Sequence, residues 1–325
     1  MKVLKTLLGI ATLSSALFSG VAIAQVYPDK PVKIIVPFPA GGLADNLARG
    51  IADELSKIGS QPVVVDFKPG ANTIIAADQV AHARADGYTL LLATDATVSY
   101  NDILYSKLPY DPVQDFTPII NIASPGTILV AGEAFKGRTL AGLIAIAKAN
   151  PGTVTYGSYG LGSGPHFYAE EFAGLAGMKM NHIPFKGVAD LIVAMGGGHV
   201  DIGMIGLAPA IQMVKSGKLR GLAIAAPQRS PLFPDTPTFA ESGFATFAPS
   251  DWFGLVAPAG TPRAVVDKIA ADVGRIIGRP EYEQVSISGI GLSSINQGPA
   301  KFAEFLKKDR ATYAVRVKNA NVNLD

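Results

Sequence analysis

The stretch IIVPFPAGGLADNLARG, residues 34–50, joins an unbroken apolar run to a Pro-Ala-Gly-Gly bend and then to an amphipathic pattern. Apolar residues without polar alternation predict a strand buried on both faces, the signature of a parallel sheet. Leu47, Ile51, Leu55 and Ile58 then fall on one helical stripe that Gly59 stops. Outward from this unit the pattern repeats. VKIIV, QPVVVDF and YTLLLAT are strands separated by helices over LADNLARGIADELSKIG and within NTIIAADQVAHARA. This βαβαβ order is half of a doubly wound fold.

A second series follows the helix LAGLIAIAKANPG: strands TVTYGSY, MNHIPF, VDIGMIG and LRGLAIAA, separated by helices PHFYAEEFAGLAG, VADLIVAMGGG and PAIQMVKSG. It reads as a second parallel sheet. DPVQDFTPIINIASPGTILVAG and the Pro-rich PQRSPLFPDTPTFAESG read as two crossings between the halves, and the helical C-terminal stretch returns to cover the first half. The expected architecture is α/β with two doubly wound lobes and a cleft between them. Lobe 1 takes residues 25–125 and 236–325, and lobe 2 takes residues 126–235.

Residues 1–24 have the form of an export signal: Lys2 and Lys5, an apolar run, and Ala22-Ile23-Ala24 as the small-x-small cleavage pattern. Cleavage after Ala24 predicts a periplasmic product. The chain has no Cys, which excludes a lipid-modified cysteine and a disulfide framework. Beyond the leader no apolar run reaches the ~18 residues of a membrane span. Loss of Lys2 and Lys5 leaves 26 of the 28 basic residues against 26 acidic ones, so nucleic acid is not an expected partner.

In open α/β sheets ligands sit beyond the carboxyl ends of the strands. The loops there are Phe38-Pro39-Ala40-Gly41-Gly42, Thr94-Asp95-Ala96-Thr97-Val98-Ser99 and Gly157-Ser158-Tyr159-Gly160-Leu161-Gly162-Ser163-Gly164, and none carries Lys or Arg. Glycine lets backbone N–H groups face a concavity, and the helix start adds unpaired donors and about half a positive charge. Two such sockets suit a small anion, most simply a carboxylate. Tight strand-to-helix turns alone would also explain each glycine pair. Asp45 in the first helical turn reads as complementing the helix dipole. His166 caps, packs or lines the pocket, and Phe38 and Phe185 either wall a flat ligand or belong to the core. Lys186, in Pro184-Phe185-Lys186-Gly187, is either a cation beside the pocket or a solvated lysine.

Enzyme signatures fail. There is no G-x-S-x-G elbow and no G-x-x-x-x-G-K-[ST], and Gly160-x-Gly162-x-Gly164 is not the dinucleotide fingerprint. His82, His166, His182 and His199 show no metal-ligand spacing, and the sequence offers no nucleophile-base pair. No metal and no cofactor are expected.

Short segments in order resemble the substrate-binding proteins of tripartite tricarboxylate transporters, the Bug-type receptors. They include Tyr27-Pro28-x-Lys30-Pro31, Val36 to Gly42 with Asp45, Lys68-Pro69-Gly70-Ala71, Asp86-Gly87-Tyr88-Thr89-Leu90, Pro184-Phe185-Lys186-Gly187 and Trp252-Phe253-Gly254-Leu255. The resemblance implies a type II periplasmic binding protein fold that captures a small organic carboxylate and delivers it to membrane permease subunits. It implies a ligand set of Phe38, Pro39, Ala40, Gly41, Gly42, Ser158, Gly160 and Ser163, with Thr94, Thr97 and Ser99 touching ligand from the third loop. Tyr159, His166, Phe185 and Gly206 complete the candidate site. Many relatives carry an acid where Gly206 stands, so an amino acid ligand loses its counter-charge here. A sensor receptor for a membrane kinase would share this pocket, and a periplasmic hydrolase is the enzymatic alternative.

Overall fold

The computed structural model describes residues 27–226, 228–249 and 251–320, so the leader and its cleavage point lie outside the described residues. The first sheet has the order β11-β4-β10-β3-β1-β2. Its strands are β1 (Val32–Val36), β2 (Val63–Phe67), β3 (Thr89–Ala93), β4 (Phe116–Ser124), β10 (Phe253–Pro258) and β11 (Ser293–Gln297). The second has the order β7-β6-β8-β5-β9. It is built from β5 (Thr127–Gly132), β6 (Thr155–Ser158), β7 (Asn181–Pro184), β8 (Ile202–Gly206) and β9 (Leu219–Ala225).

Burial on both faces holds for β1 and β3 but not for β2, which corrects the expectation for QPVVVDF: β2 is an edge strand of its sheet and Val64 is exposed. Ile34 and Val36 join one core cluster while Ile35 joins another; Leu90 and Leu92 split from Leu91 and Ala93 in the same way. The first face is covered by α1 (Leu43–Ile58) and α7 (Arg263–Ile277), the second by α2 (Ile74–Ala81) and the start of α8 (Pro299–Ala320). In the second lobe α3 (Leu140–Ala149) and α4 (Gly164–Ala176) cover Leu129 and Ala131, and α5 (Val188–Gly196) and α6 (Leu207–Lys215) cover Ile128 and Val130. Each fully buried aliphatic side chain contributes about 1.5–3 kcal/mol of transfer free energy.

Both sheets are mixed, which corrects the all-parallel expectation. β10 runs antiparallel to β3 and β4, and β5 runs antiparallel to β8 and β9. The segment taken as a single crossing contains β4 and β5, with only Pro125 and Gly126 between them. A strand that enters a sheet from the crossing starts where its neighbours end, so it must run against them. The chain also stays with the second sheet longer than the expected boundary at residues 235 and 236: Thr238 bridges Ile224, and Phe239 and Phe247 sit in that lobe's core. We propose that the return crossing lies beside Asp251 and Trp252.

The C-terminal helix does more than cover the first lobe. Phe302 packs beside Trp252, while Tyr313 and Val317 enter a cluster with Phe167, Tyr168 and Phe172 of α4. A chain of buried polar groups follows the same seam. Tyr168 donates to Asp251 at 2.8 Å, the Tyr168 and Tyr313 hydroxyls lie 2.6 Å apart, and Tyr313 bonds Asp95. Thr127 donates to the other Asp251 oxygen at 2.9 Å, which joins the two crossings. Three contacts from Asp95 to Asp251 need three protons, and the tyrosines supply two. One acid therefore holds the third. Burial, then the nearby Asp251 charge, pushes the Asp95 carboxyl well above the usual carboxylate range, and burial raises Asp251 as well.

Asparagine is isosteric with a protonated aspartate and donates from the same place. Asp95→Asn is expected to change unfolding free energy at pH 7 by under about 1 kcal/mol, while Tyr313→Phe loses about 1–3 kcal/mol by orphaning its partners. Urea unfolding of both variants checks this; a large loss for Asp95→Asn would mean the carboxylate is ionised.

Candidate functional site

Strand register brings the candidate loops to one junction. Gly206 at the end of β8 pairs with Thr127 at the start of β5, and Ala93 at the end of β3 pairs with Gly254 in β10. The carboxyl ends of both sheets therefore face the crossings. β1 lies beside β3, so the Phe38–Gly42 and Thr94–Ser99 loops share one end of the first sheet.

The first loop is exposed from Pro39 to Gly42, and Phe38 is half-buried with its ring 6.5 Å from that of Phe253. Gly41 has φ +89°, a conformation open to glycine at little cost. Its N–H is not free, because it donates to Asp45 Oδ2 at 2.7 Å while Arg49 holds Oδ1. Asp45 thus fastens the bend to α1. Gly42 caps α1 without a side-chain bond, so the open donors of this loop are the first N–H groups of the helix.

In the third-strand loop the hydroxyls have different uses. Thr97 and Ser99 are fully buried; Thr97 donates to Thr73 at 3.0 Å and Ser99 to Asp309 at 2.6 Å. Both serve the fold. Thr94 is buried too, but its hydroxyl has no partner among the described residues, a donor left for something else. The Asp95 carboxylate turns inward to Tyr313 and the Ala96 N–H.

Sequence reasoning missed the loop after β2. Ala71, Asn72 and Thr73 have φ of +46°, +46° and +75°, three successive left-handed residues. Each costs about 1–2 kcal/mol for an L-residue. Asn101 holds the run in place: it accepts from the Asn72 amide and donates to the Asn72 carbonyl, both at 2.8 Å. Pro69-Gly70 signals a turn there, but neither Ala71 nor Thr73 carries a local sign of positive φ.

The second-lobe loop gathers Ser158, Tyr159, Gly160, Ser163, His166, Phe185 and Gly206. Gly160 and Gly162 have φ +119° and +73°. Phe185 N–H donates to the Ser158 carbonyl at 3.1 Å, and Gly206 N–H donates to the Tyr159 hydroxyl at 3.3 Å. A Cβ built at Gly206 would meet nothing nearer than Pro209 at 3.6 Å, so sterics do not exclude a side chain there. Lys186 is exposed.

His166 lies inside rather than on the rim. Its Nδ1 accepts the Gly162 N–H at 3.2 Å, and its ring stacks on His182 with centroids 4.1 Å apart and planes 9° from parallel. His182, which no motif marks, places Nε2 2.7 Å from Ser158 Oγ. Residue spacing did not indicate this serine–histidine contact, and no carboxylate orients the imidazole among the described residues. Burial, with the adjacent His182 charge second, pushes His166 down to about 4. Burial lowers His182 too.

The sequence model described as the tripartite tricarboxylate transporter family receptor matches residues 47–320. The chain belongs to this family. Among curated relatives, Protein BugT of Bordetella pertussis is 37% identical over 81% of the chain and 81% of its own length. Among solved structures, "R. palustris Rpa4515 with adipate" matches with TM-score 0.83 at 31% identity, over 91% of this chain and 99% of that one. MatC from Rhodopseudomonas palustris with bound malate matches with TM-score 0.78 at 28% identity, over 90% and 100%. The family receptor fold is thus a two-lobed α/β one, and no helix among the described residues is long and apolar enough to cross a membrane.

Folded His166 stays neutral to about pH 4, whereas its unfolded value is 6.5, so the unfolded chain binds more protons between the two. Stability from this group is present above pH 6.5 and falls as pH drops towards 4. Asn can keep the acceptor for Gly162. His166→Asn is therefore expected to lose less stability than the parent between pH 7 and 4.5, by on the order of 1–3 kcal/mol in urea unfolding. Equal losses would count against the buried neutral imidazole.

Proposed function

We propose that the protein captures a small organic dicarboxylate between its lobes in the periplasm and delivers it to the membrane subunits of a tripartite transporter. One observation carries the reading: loops without Lys or Arg, from both sheets, converge on one junction with uncapped helix starts and the unpartnered Thr94 hydroxyl among them. Backbone donors and helix N-termini suit carboxylate oxygens. The adipate and malate bound by two similar proteins support a ligand of four to six carbons. The proposed contacts are Phe38 to Gly42, Thr94, Ser158, Gly160 and Ser163, with Tyr159, Phe185 and Gly206 as walls. Gly206 leaves no acid at that wall, which favours a ligand without an ammonium group.

Ligand bridging both lobes would favour the closed state, and the permease would read that state. The Ser158–His182 contact is the feature that favours a hydrolase. No carboxylate orients His182 among the described residues, and Ser158 is already held by Gly160, so binding is the better reading.

A thermal-shift series with malate, succinate, adipate and citrate is expected to raise the melting temperature for at least one acid. At Gly41 a new Cβ meets nothing within 4 Å, yet φ +89° is strained for a β-branched residue. Gly41→Val should fold with a loss of about 1–2 kcal/mol and weaken binding by roughly tenfold or more. Full affinity in that variant, or no shift with any acid, would overturn the assignment.

A further inference from the structure

We propose that His182 is a positioning residue of the carboxylate site: its Nε2–H donates to Ser158 Oγ and thereby frees the Ser158 proton for an anion. The inference rests on the carboxylate reading above and concerns a residue outside the loops that form the site.

The argument is a count of protons and lone pairs. A serine hydroxyl has one proton and two lone pairs. Ser158 Oγ receives the Gly160 N–H at 3.1 Å, faces His182 Nε2 at 2.7 Å and reaches the Gly160 carbonyl at 2.9 Å. If the His182 proton sits on Nδ1, the bare Nε2 takes the only Ser158 proton, and the hydroxyl then shows an anion a lone pair. If it sits on Nε2, His182 and Gly160 fill both lone pairs, and the proton points to the Gly160 carbonyl or to a ligand.

The Gly160 carbonyl does not need that proton. It also receives Ser163 Oγ at 2.8 Å and Ser163 N–H at 3.3 Å, three donors for two lone pairs. One serine hydroxyl is surplus until a carboxylate arrives, so its turn towards ligand leaves no buried acceptor bare. The stack fixes the imidazole plane that makes this possible. His182 stacks on His166 and also on Tyr156, 4.7 Å away and tilted 16°, while Tyr156 is itself held by Glu170. Burial favours the neutral form of His182, so the single ring proton and the nitrogen that carries it decide what Ser158 can donate.

The tautomer is read directly by long-range 1H–15N NMR of ligand-free protein labelled at histidine. A protonated Nε2 and an unprotonated Nδ1 on His182 are expected near pH 7; the reverse overturns the proposal whether or not any acid binds. Calorimetric titration with adipate and with malate then compares the parent with His182→Phe, His182→Gln, Ser158→Ala and the His182→Phe/Ser158→Ala double variant. His182→Phe keeps the stack and loses the donor, and about tenfold weaker binding is expected; His182→Gln restores the donor and binds within about threefold of the parent. In the Ser158→Ala background His182→Phe should change nothing further. An equal loss in both backgrounds would make His182 merely structural and sink the proposal. Failure of both acids to bind the parent, with Nε2 protonated, would instead sink the carboxylate reading on which it rests.

Discussion

Three protons shared along Asp95, Tyr313, Tyr168 and Asp251 hold the two lobes of this protein in register. Each group is supplied by a different part of the chain: the loop after β3, the C-terminal helix, the ligand-side helix α4 and the return crossing. None of these segments could bury its polar group alone, because an unpaired hydroxyl or carboxylate in an apolar seam costs several kcal/mol. Together they are satisfied, and the carboxylate that burial would otherwise penalise keeps a proton. The Arg316 guanidinium lies over the Tyr168 and Tyr313 rings and bonds Glu171, so the charge nearest the seam is also paired. With Asp251 also bonded to Thr127, the same interaction sets where the two crossings meet and so where the loop-lined junction forms.

The junction works by subtraction. Most polar groups near it are already committed: Gly41 to Asp45, Thr97 to Thr73, Ser99 to Asp309, Gly206 to Tyr159. The few left over are the helix starts, the Thr94 hydroxyl and one surplus serine proton. For the carboxylate proposed above, a site composed of leftovers on rigid supports would need little reorganisation, which is how preorganised dipoles gain over flexible cations. The left-handed run at Ala71 to Thr73 fits this picture as strain stored beside a site and held there by Asn101.

The histidine stack under the second-lobe loop serves the same economy of donors. His166 takes the Gly162 N–H and so keeps its proton on Nε2, and His182 Nε2 meets Ser158 Oγ, the contact proposed above to order that serine. Burial lowers both rings, and His166, pushed down to about 4, is neutral through most of the range in which free histidine titrates.

By itself the sequence determined the local units. VKIIV, QPVVVDF and YTLLLAT were legible as strands, α1 followed from its stripe, and the Phe38–Gly42 and Ser158–Ser163 turns were legible because glycine at a strand-to-helix bend has a local cause; that QPVVVDF forms an edge strand with Val64 exposed was not. The short matched segments also carried the family. Sheet direction was not legible, because a strand's pattern is the same read either way, and only the position of the crossings makes β5 and β10 antiparallel. Nor was the division of labour among hydroxyls: Thr94, Thr97 and Ser99 look alike in sequence, and partners up to 210 residues away decide which remains free. His182 entered the site for the same reason. Hydrogen bonds that close across the fold are fixed by where strands pair in space, and no local pattern encodes them.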